Sequence, residues 1–256
     1  MIELVDTHCH VQFPDYSLDT EDVIKNAIEA GVTRMICVGC TLVDSKLGVK
    51  LANRHKSVWA SVGIHPHEAK FYVENDKDLQ ELRNLATKQK VVAIGEIGLD
   101  YYYNHSPKND QKALLRYQLE LAQEYNLPLI FHVREAFDDF FAIFDKFVGL
   151  RGVVHSFTAN RGTLDKCLSR GLYIGLNGIM TFTKDKKQLE MAKNVPTDKL
   201  LLETDAPYLT PVSFRGTICQ PKHVVSTAKF LAELRQETYK SLAAAATKNS
   251  INLFKL

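Results

Sequence analysis

The sequence predicts an α/β protein of the (β/α)8 TIM barrel class, with a single domain over residues 1–256. Three observations predict it. Eight short apolar, β-branched runs recur along the 256 residues, helix-period segments separate them, and most runs end in a residue that binds metal or moves protons. Near-continuous apolar runs suit strands covered on both faces, hence a parallel sheet. Eight strand–helix units in this length match the barrel. The alternative, an open doubly wound sheet, lacks its usual G-x-G-x-x-G after the first strand, and no Walker A motif occurs.

Taken in order, strands are expected at 2–8, 32–38, 58–64, 91–97, 127–133, 152–157, 172–177 and 199–205. Helices are expected at about 20–30, 43–55, 76–89, 108–126, 135–148, 162–170, 185–194, 221–233 and 236–253. The segment 110–125 shows why: Leu114, Leu115, Tyr117, Leu121, Ala122 and Tyr125 recur at helical spacing, with polar Gln118 and Glu120 between them. Gly31 and Gly171 stand where helices are capped, and Pro128 follows a helix that must stop. No repeat, low-complexity tract or linker interrupts the pattern, which favours one domain.

Composition narrows the function. With 24% charged residues and a net charge of +2, the chain is too balanced for polybasic nucleic-acid binding, although a local basic groove stays open. No apolar run approaches the roughly 20 residues that cross a bilayer. The start MIELVDTHCH has neither a basic n-region nor an apolar h-region, so the expected compartment is the cytoplasm. Five cysteines are too few and too scattered for a disulfide framework. Cys37-Val-Gly-Cys40 has the spacing of a redox pair, but two small packed side chains at a strand end is the preferred reading.

The polar residues fall where a barrel builds its site, at strand C-termini. Strand 1 ends in Asp6-Thr-His8-Cys-His10, strand 3 in Gly63-Ile-His65-Pro-His67 and strand 4 in Gly95-Glu96-Ile-Gly98-Leu-Asp100. Strand 5 ends at His132, followed by Arg134; strand 6 ends in His155-Ser156 and strand 8 in Glu203-Thr-Asp205. Positions i and i+2 of a strand share a face, so His8 and His10 can reach one ion together. Glu203 and Asp205 share a face likewise, one of them as ligand and the other as support. Imidazole and carboxylate donors suit Zn²⁺, Mn²⁺ or Mg²⁺. A purely structural reading would require every one of these groups to find a buried partner, at about 1–3 kcal/mol for each left unpaired.

These motifs resemble the TatD family of metal-dependent deoxyribonucleases, within the amidohydrolase-like (β/α)8 superfamily. DTHCH (6–10), GIHPH (63–67), GEIGLDYY (95–102), HVREA (132–136), HSFTAN (155–160) and ETDAPYL (203–209) occur in order across essentially the whole chain. The resemblance implies two divalent ions, of magnesium, manganese or zinc. His8, His10 and Asp205 would hold one, Glu96 would bridge to the second, and His132 and His155 would complete that second site. Two departures stand out. Cys219 occupies the place of a usual Asn in the R-G-x-x-N-x-P segment 215–221, and Glu135 replaces the usual Asp after the strand-5 arginine.

The function expected is hydrolysis of DNA phosphodiesters by a two-metal-activated water, with Asp205 as general base. His65 and Arg134 are candidates for neutralising the phosphate or assisting the leaving group, and removing Glu96 or Asp205 is expected to abolish hydrolysis; a structural salt bridge to Glu96 or Asp100 is an equal reading for Arg134. Lys184, Tyr208 and Arg215, in loops after strands 7 and 8, are the candidates for gripping substrate, with Tyr101, Tyr102, Tyr103, Phe182 and Phe214 available for base stacking. A narrow mouth favours a single strand or frayed end, as does the family's exonuclease activity. No membrane and no obligate protein partner is implied. The rival readings are a hydrolase of a small ester, amide or lactone on the same scaffold, and a non-catalytic nucleic-acid-binding or scaffold protein.

Overall fold

The computed structural model describes residues 2–256. Eight strands are found: β1 (Leu4–Cys9), β2 (Val32–Val38), β3 (Val58–Val62), β4 (Val91–Asp100), β5 (Leu129–Arg134), β6 (Gly152–Val154), β7 (Tyr173–Leu176) and β8 (Leu200–Leu202). The helices are α1 (Thr20–Glu29), α2 (Leu42–Arg54), α3 (Ala69–Tyr72), α4 (Asp76–Ala86), α5 (Lys108–Tyr125), α6 (Phe137–Phe144), α7 (Arg161–Ser169), α8 (Lys186–Asn194), α9 (Val224–Leu234) and α10 (Tyr239–Phe254). The strands form one sheet in the order β1-β2-β3-β4-β5-β6-β7-β8, which is the (β/α)8 class the sequence predicts. Among the described residues, no helix is long and apolar enough to cross a membrane.

Every expected strand is present, but the ends differ. β8 stops at Leu202 rather than 205, and β6 at Val154 rather than 157. Soon after each end a non-glycine residue takes a left-handed backbone, Asp205 at φ 61° and Ser156 at φ 46°, which no parallel ladder accommodates. β4 runs longer than expected, to Asp100, because its end pairs residue for residue with the end of β5. The short α3, after a turn of 3-10 helix at Pro66–Glu68, was not predicted.

Helix starts follow side-chain chemistry. Asp19, Thr41, Asn75, Asn160, Asp185 and Thr238 each cap a helix by accepting a backbone N–H of its first turn, an interaction typically worth about 1 kcal/mol.

The chain divides into two compact units, Met1–Ile36 with Ser156–Leu256, and Cys37–His155. In the first, α10 packs on β1 and β8. The end of β1 is tied to the segment after β8 by a parallel bridge between Cys9 and Ala206. Leu4, Phe157, Ile174, Leu201, Leu202 and Phe254 are buried there. In the second, β3, β4, β5 and β6 pair in parallel, over a core of Ile94, Ile97, Leu99, Phe131 and Phe140. Gly98 is required where β4 meets β5: its φ is 150°, and a Cβ there would run into the backbone oxygen of His132.

Candidate metal centres

Side chains able to ligate a metal gather at the strand ends of each unit. In the first unit, His8 and His10 project to one side of β1, while Cys9 between them turns the other way and donates its thiol to Ile36 O at 3.4 Å. Asp205 is brought beside them by the backbone: its N–H donates to His8 O at 2.8 Å, and His10 N–H donates to Ala206 O at 2.6 Å. His8 Nε2 and His10 Nε2 lie 3.0 Å apart, and Asp205 Oδ1 lies 3.6 Å from the first and 3.3 Å from the second. His10 is further fixed by stacking on Phe13, with ring centroids 4.4 Å apart.

Below this cluster Asp6 is wholly buried. Burial pushes its carboxyl up to about 8, against hydrogen bonds from Thr204 and from the backbone of His8. Thr204 Oγ1 donates to Asp6 Oδ2 at 2.6 Å and accepts Ala206 N–H at 3.1 Å, so Asp6 braces the segment that carries Asp205. Glu203 serves the same purpose. Its Oε1 accepts Ser156 N–H at 2.6 Å and lies 3.4 Å from Asn177 Nδ2. Asp205, not Glu203, therefore faces the histidine pair.

The second unit holds Glu96, His132 and His155. Glu96 Oε1 lies 2.8 Å from His155 Nε2 and 3.0 Å from His132 Nδ1, and the two imidazole nitrogens are 3.2 Å apart. The other nitrogen of His132 meets Asp100 Oδ2 at 2.9 Å, and His67 Nε2 meets the same oxygen at 2.9 Å. Burial opposes ionisation of Asp100, yet the hydrogen bonds from His132 and His67 hold its carboxyl far below the usual range. Burial likewise opposes protonation of His132, but its hydrogen bonds with Asp100 and Glu96 raise its affinity for a proton.

His65 sits 3.5 Å from Glu96 Oε1 through Nε2. Burial, then the neighbouring His132, hold it well below its ordinary pKa, so its ring is neutral at neutral pH. Its Nδ1 accepts His67 N–H at 3.2 Å, which leaves the ring proton on Nε2, facing Glu96.

Both clusters fit a divalent ion. Ligands at about 2.0–2.2 Å from a tetrahedral or octahedral ion stand roughly 2.8–3.6 Å apart. The donor separations of 3.0–3.6 Å in one cluster match that range, and those of 2.8–3.2 Å in the other lie at its short edge. The Asp100–His132 contact is the carboxylate–histidine support that metal-ligating imidazoles usually have.

Sequence reasoning placed Asp100 at the strand-4 end only as a possible partner of Arg134 and not as the support of His132, although its position four residues beyond Glu96 on one strand face was a readable sign. It also missed Cys40, whose thiol lies 3.5 Å from Glu96 Oε2. None of the five cysteines is in a disulfide, and Cys37 is fully buried.

Among the described residues Arg134 has no carboxylate partner; its guanidinium lies over the rings of Tyr102 and Tyr103. Of the substrate-loop candidates, Arg215 lies over Phe182 at 4.4 Å and donates to Thr210 O at 3.3 Å. Tyr208 is about half exposed and Lys184 is exposed. Asp185 caps α8 and supplies the negative charge that Lys186 and Lys187 at a helix start would otherwise lack. Cys219 is fully buried, and burial raises its thiol above the usual range.

A family profile described as TatD related DNase matches residues 5–255. The chain is 36% identical over 255 residues to the uncharacterized metal-dependent hydrolase YabD of Bacillus subtilis, covering 99% of each protein. It is 35% identical over 245 residues to the 3'-5' ssDNA/RNA exonuclease TatD of Citrobacter koseri, covering 92% of this chain and 93% of that one. Its fold is similar to the crystal structure of YjjV, a TatD homolog from Escherichia coli K12, with a TM-score of 0.92 at 31% identity over 100% of this chain and 99% of the other.

Proposed function

The chain belongs to the TatD-related DNase family of metal-dependent hydrolases, and on that premise we propose that it is a deoxyribonuclease removing nucleotides from an end of single-stranded or frayed DNA. The observation that carries this reading is the convergence of three metal-ligating side chains at the strand ends of each unit, with every donor pair within 3.6 Å. His8, His10 and Asp205 would hold one ion, and Glu96, His132 and His155 would hold the other. The relative named as an ssDNA/RNA exonuclease supports a nucleic-acid substrate. The imidazole-rich donor sets favour zinc or manganese over magnesium, which prefers oxygen ligands.

Two divalent ions, once bound, lower the proton affinity of a water and neutralise phosphate charge. The protein's own groups do the rest. Asp205, with 16% of its side chain exposed, takes the proton of the attacking water. His65, neutral and protonated on Nε2, donates a hydrogen bond to the phosphate or the leaving oxygen rather than a full charge. Arg134 supplies the fixed positive charge, and Lys184, Tyr208 and Arg215 contact the strand beyond the cut. The enzyme works in the cytoplasm.

The test is metal analysis of gently purified protein followed by digestion of single strands labelled at one end or the other, with magnesium, manganese or zinc. Progressive shortening that chelation stops, and that Glu96→Gln abolishes, is expected. Intact DNA alongside hydrolysis of a lactone or cyclic amide would replace this reading with the small-substrate hydrolase. Full metal-dependent activity in Glu96→Ala would overturn the two-metal assignment.

A further inference from the structure

The end of β5 and the loop after β4 carry a cluster of rings and cations beside His132. Arg134 lies two residues beyond His132, on the same side of β5. Its guanidinium carbon is 4.0 Å from the ring centroid of Tyr102 and 4.7 Å from that of Tyr103. The two tyrosines meet edge to face at 4.9 Å, and Tyr103 lies parallel to His105 at 5.7 Å. Tyr102 is 54% and Tyr103 51% exposed, so rings that would ordinarily be sheltered stand open to solvent. A second cation, Lys108, sits 4.2 Å over the ring of Tyr101 in the same loop.

The loop is not loose. Asp100, fully buried, accepts the backbone N–H groups of Tyr102 at 3.0 Å and Tyr103 at 2.9 Å on Oδ1. Its Oδ2 meets His132 Nε2 at 2.9 Å. One buried carboxylate thus fixes both the ring pair and a metal-ligating imidazole.

We propose that Tyr102, Tyr103 and Arg134 form a stacking subsite for an unpaired nucleobase, kept in register with His132 by Asp100. The chemistry selects this occupant. Bases taken out of a duplex stack on aromatic rings and on guanidinium planes, and fixed cations beside the rings suit the phosphates that come with them. Rings read the face of a base rather than its edge, so the subsite tolerates any base but needs one. The inference rests on the nuclease reading for its choice of strand.

The test is binding of the full-length, metal-loaded protein to two fluorescent oligomers of equal length and charge, one of thymidylate and one abasic, both with hydrolysis-resistant phosphorothioate linkages. Wild type is expected to hold the thymidylate about five- to 150-fold more tightly than the abasic oligomer. The double variant Tyr102→Ala, Tyr103→Ala should lose that preference while keeping its affinity for the abasic strand. The double variant with Phe at both positions should retain it. No preference in wild type, or an undiminished one in the alanine variant, overturns the subsite. Digestion of ordinary single strands, run in parallel, separates the two readings. Turnover without base preference sinks the subsite alone, and base preference without turnover sinks the nuclease reading alone.

Discussion

His132 is held between two carboxylates: its Nδ1 lies 3.0 Å from Glu96 Oε1 and its Nε2 lies 2.9 Å from Asp100 Oδ2. The first contact is where an ion would sit, and the second fixes the ring that would bind it. Residues that orient a metal ligand typically matter 10- to 100-fold in metal affinity. Asp100→Asn is therefore expected to weaken metal binding about tenfold or more, read by titration calorimetry with manganese or zinc. Unchanged affinity would make the Asp100 contact incidental.

Glu203 and Asp205 differ in what they touch, so their loss should read differently. Glu203 accepts Ser156 N–H at 2.6 Å, whereas Asp205 faces His8 and His10. Glu203→Ala leaves a buried donor unsatisfied and should cost about 1–3 kcal/mol of folding stability. Asp205→Ala should abolish hydrolysis with a smaller stability change. Denaturant unfolding and single-strand digestion of both variants check this pair, and an exchange of phenotypes would reverse the assignment.

Two glycines with left-handed backbones should respond unequally to alanine. At Gly149, φ is 81° but nothing lies within 4 Å of a new Cβ, so Gly149→Ala should cost only the backbone strain, about 1–2 kcal/mol. At Gly98 the same change drives a methyl group into the β5 backbone at His132, and a loss of at least about 3 kcal/mol is expected. Thermal unfolding of the two variants side by side gives the comparison.

His223 makes stability pH-dependent. Burial, then the charge of Lys222, lower it from an ordinary 6.5 to about 4. The unfolded chain takes up a proton below about 6.5 and the folded chain only near 4, so protonation favours unfolding across that window. The stability this neutral histidine contributes is fully present above pH 6.5 and is lost as pH falls toward 4, by roughly 3 kcal/mol at most. His223→Gln should flatten that part of the profile, measured as urea midpoints between pH 7 and pH 4; an unchanged slope would assign it to other groups.

The sequence by itself determined the order of strands and helices, because apolar periodicity and capping residues are local and each run of residues carries its own. It also brought out candidate ligands, since extended-chain spacing alone puts His8 and His10 on one side of the chain at the end of β1. The tertiary structure decided the rest. Whether Glu203 or Asp205 joins the histidines depends on a backbone that leaves the ladder after Leu202 and turns through a left-handed residue. Asp100 becomes the support of His132 only because the ends of β4 and β5 pair in register, Gly98 beside His132 and Asp100 beside Arg134. Arg134 meets tyrosines rather than a carboxylate because Asp100 is already occupied by two imidazoles and two backbone N–H groups. Such outcomes turn on which of several compatible partners reaches a buried oxygen first in space, and distances across strands are not written in the spacing along one.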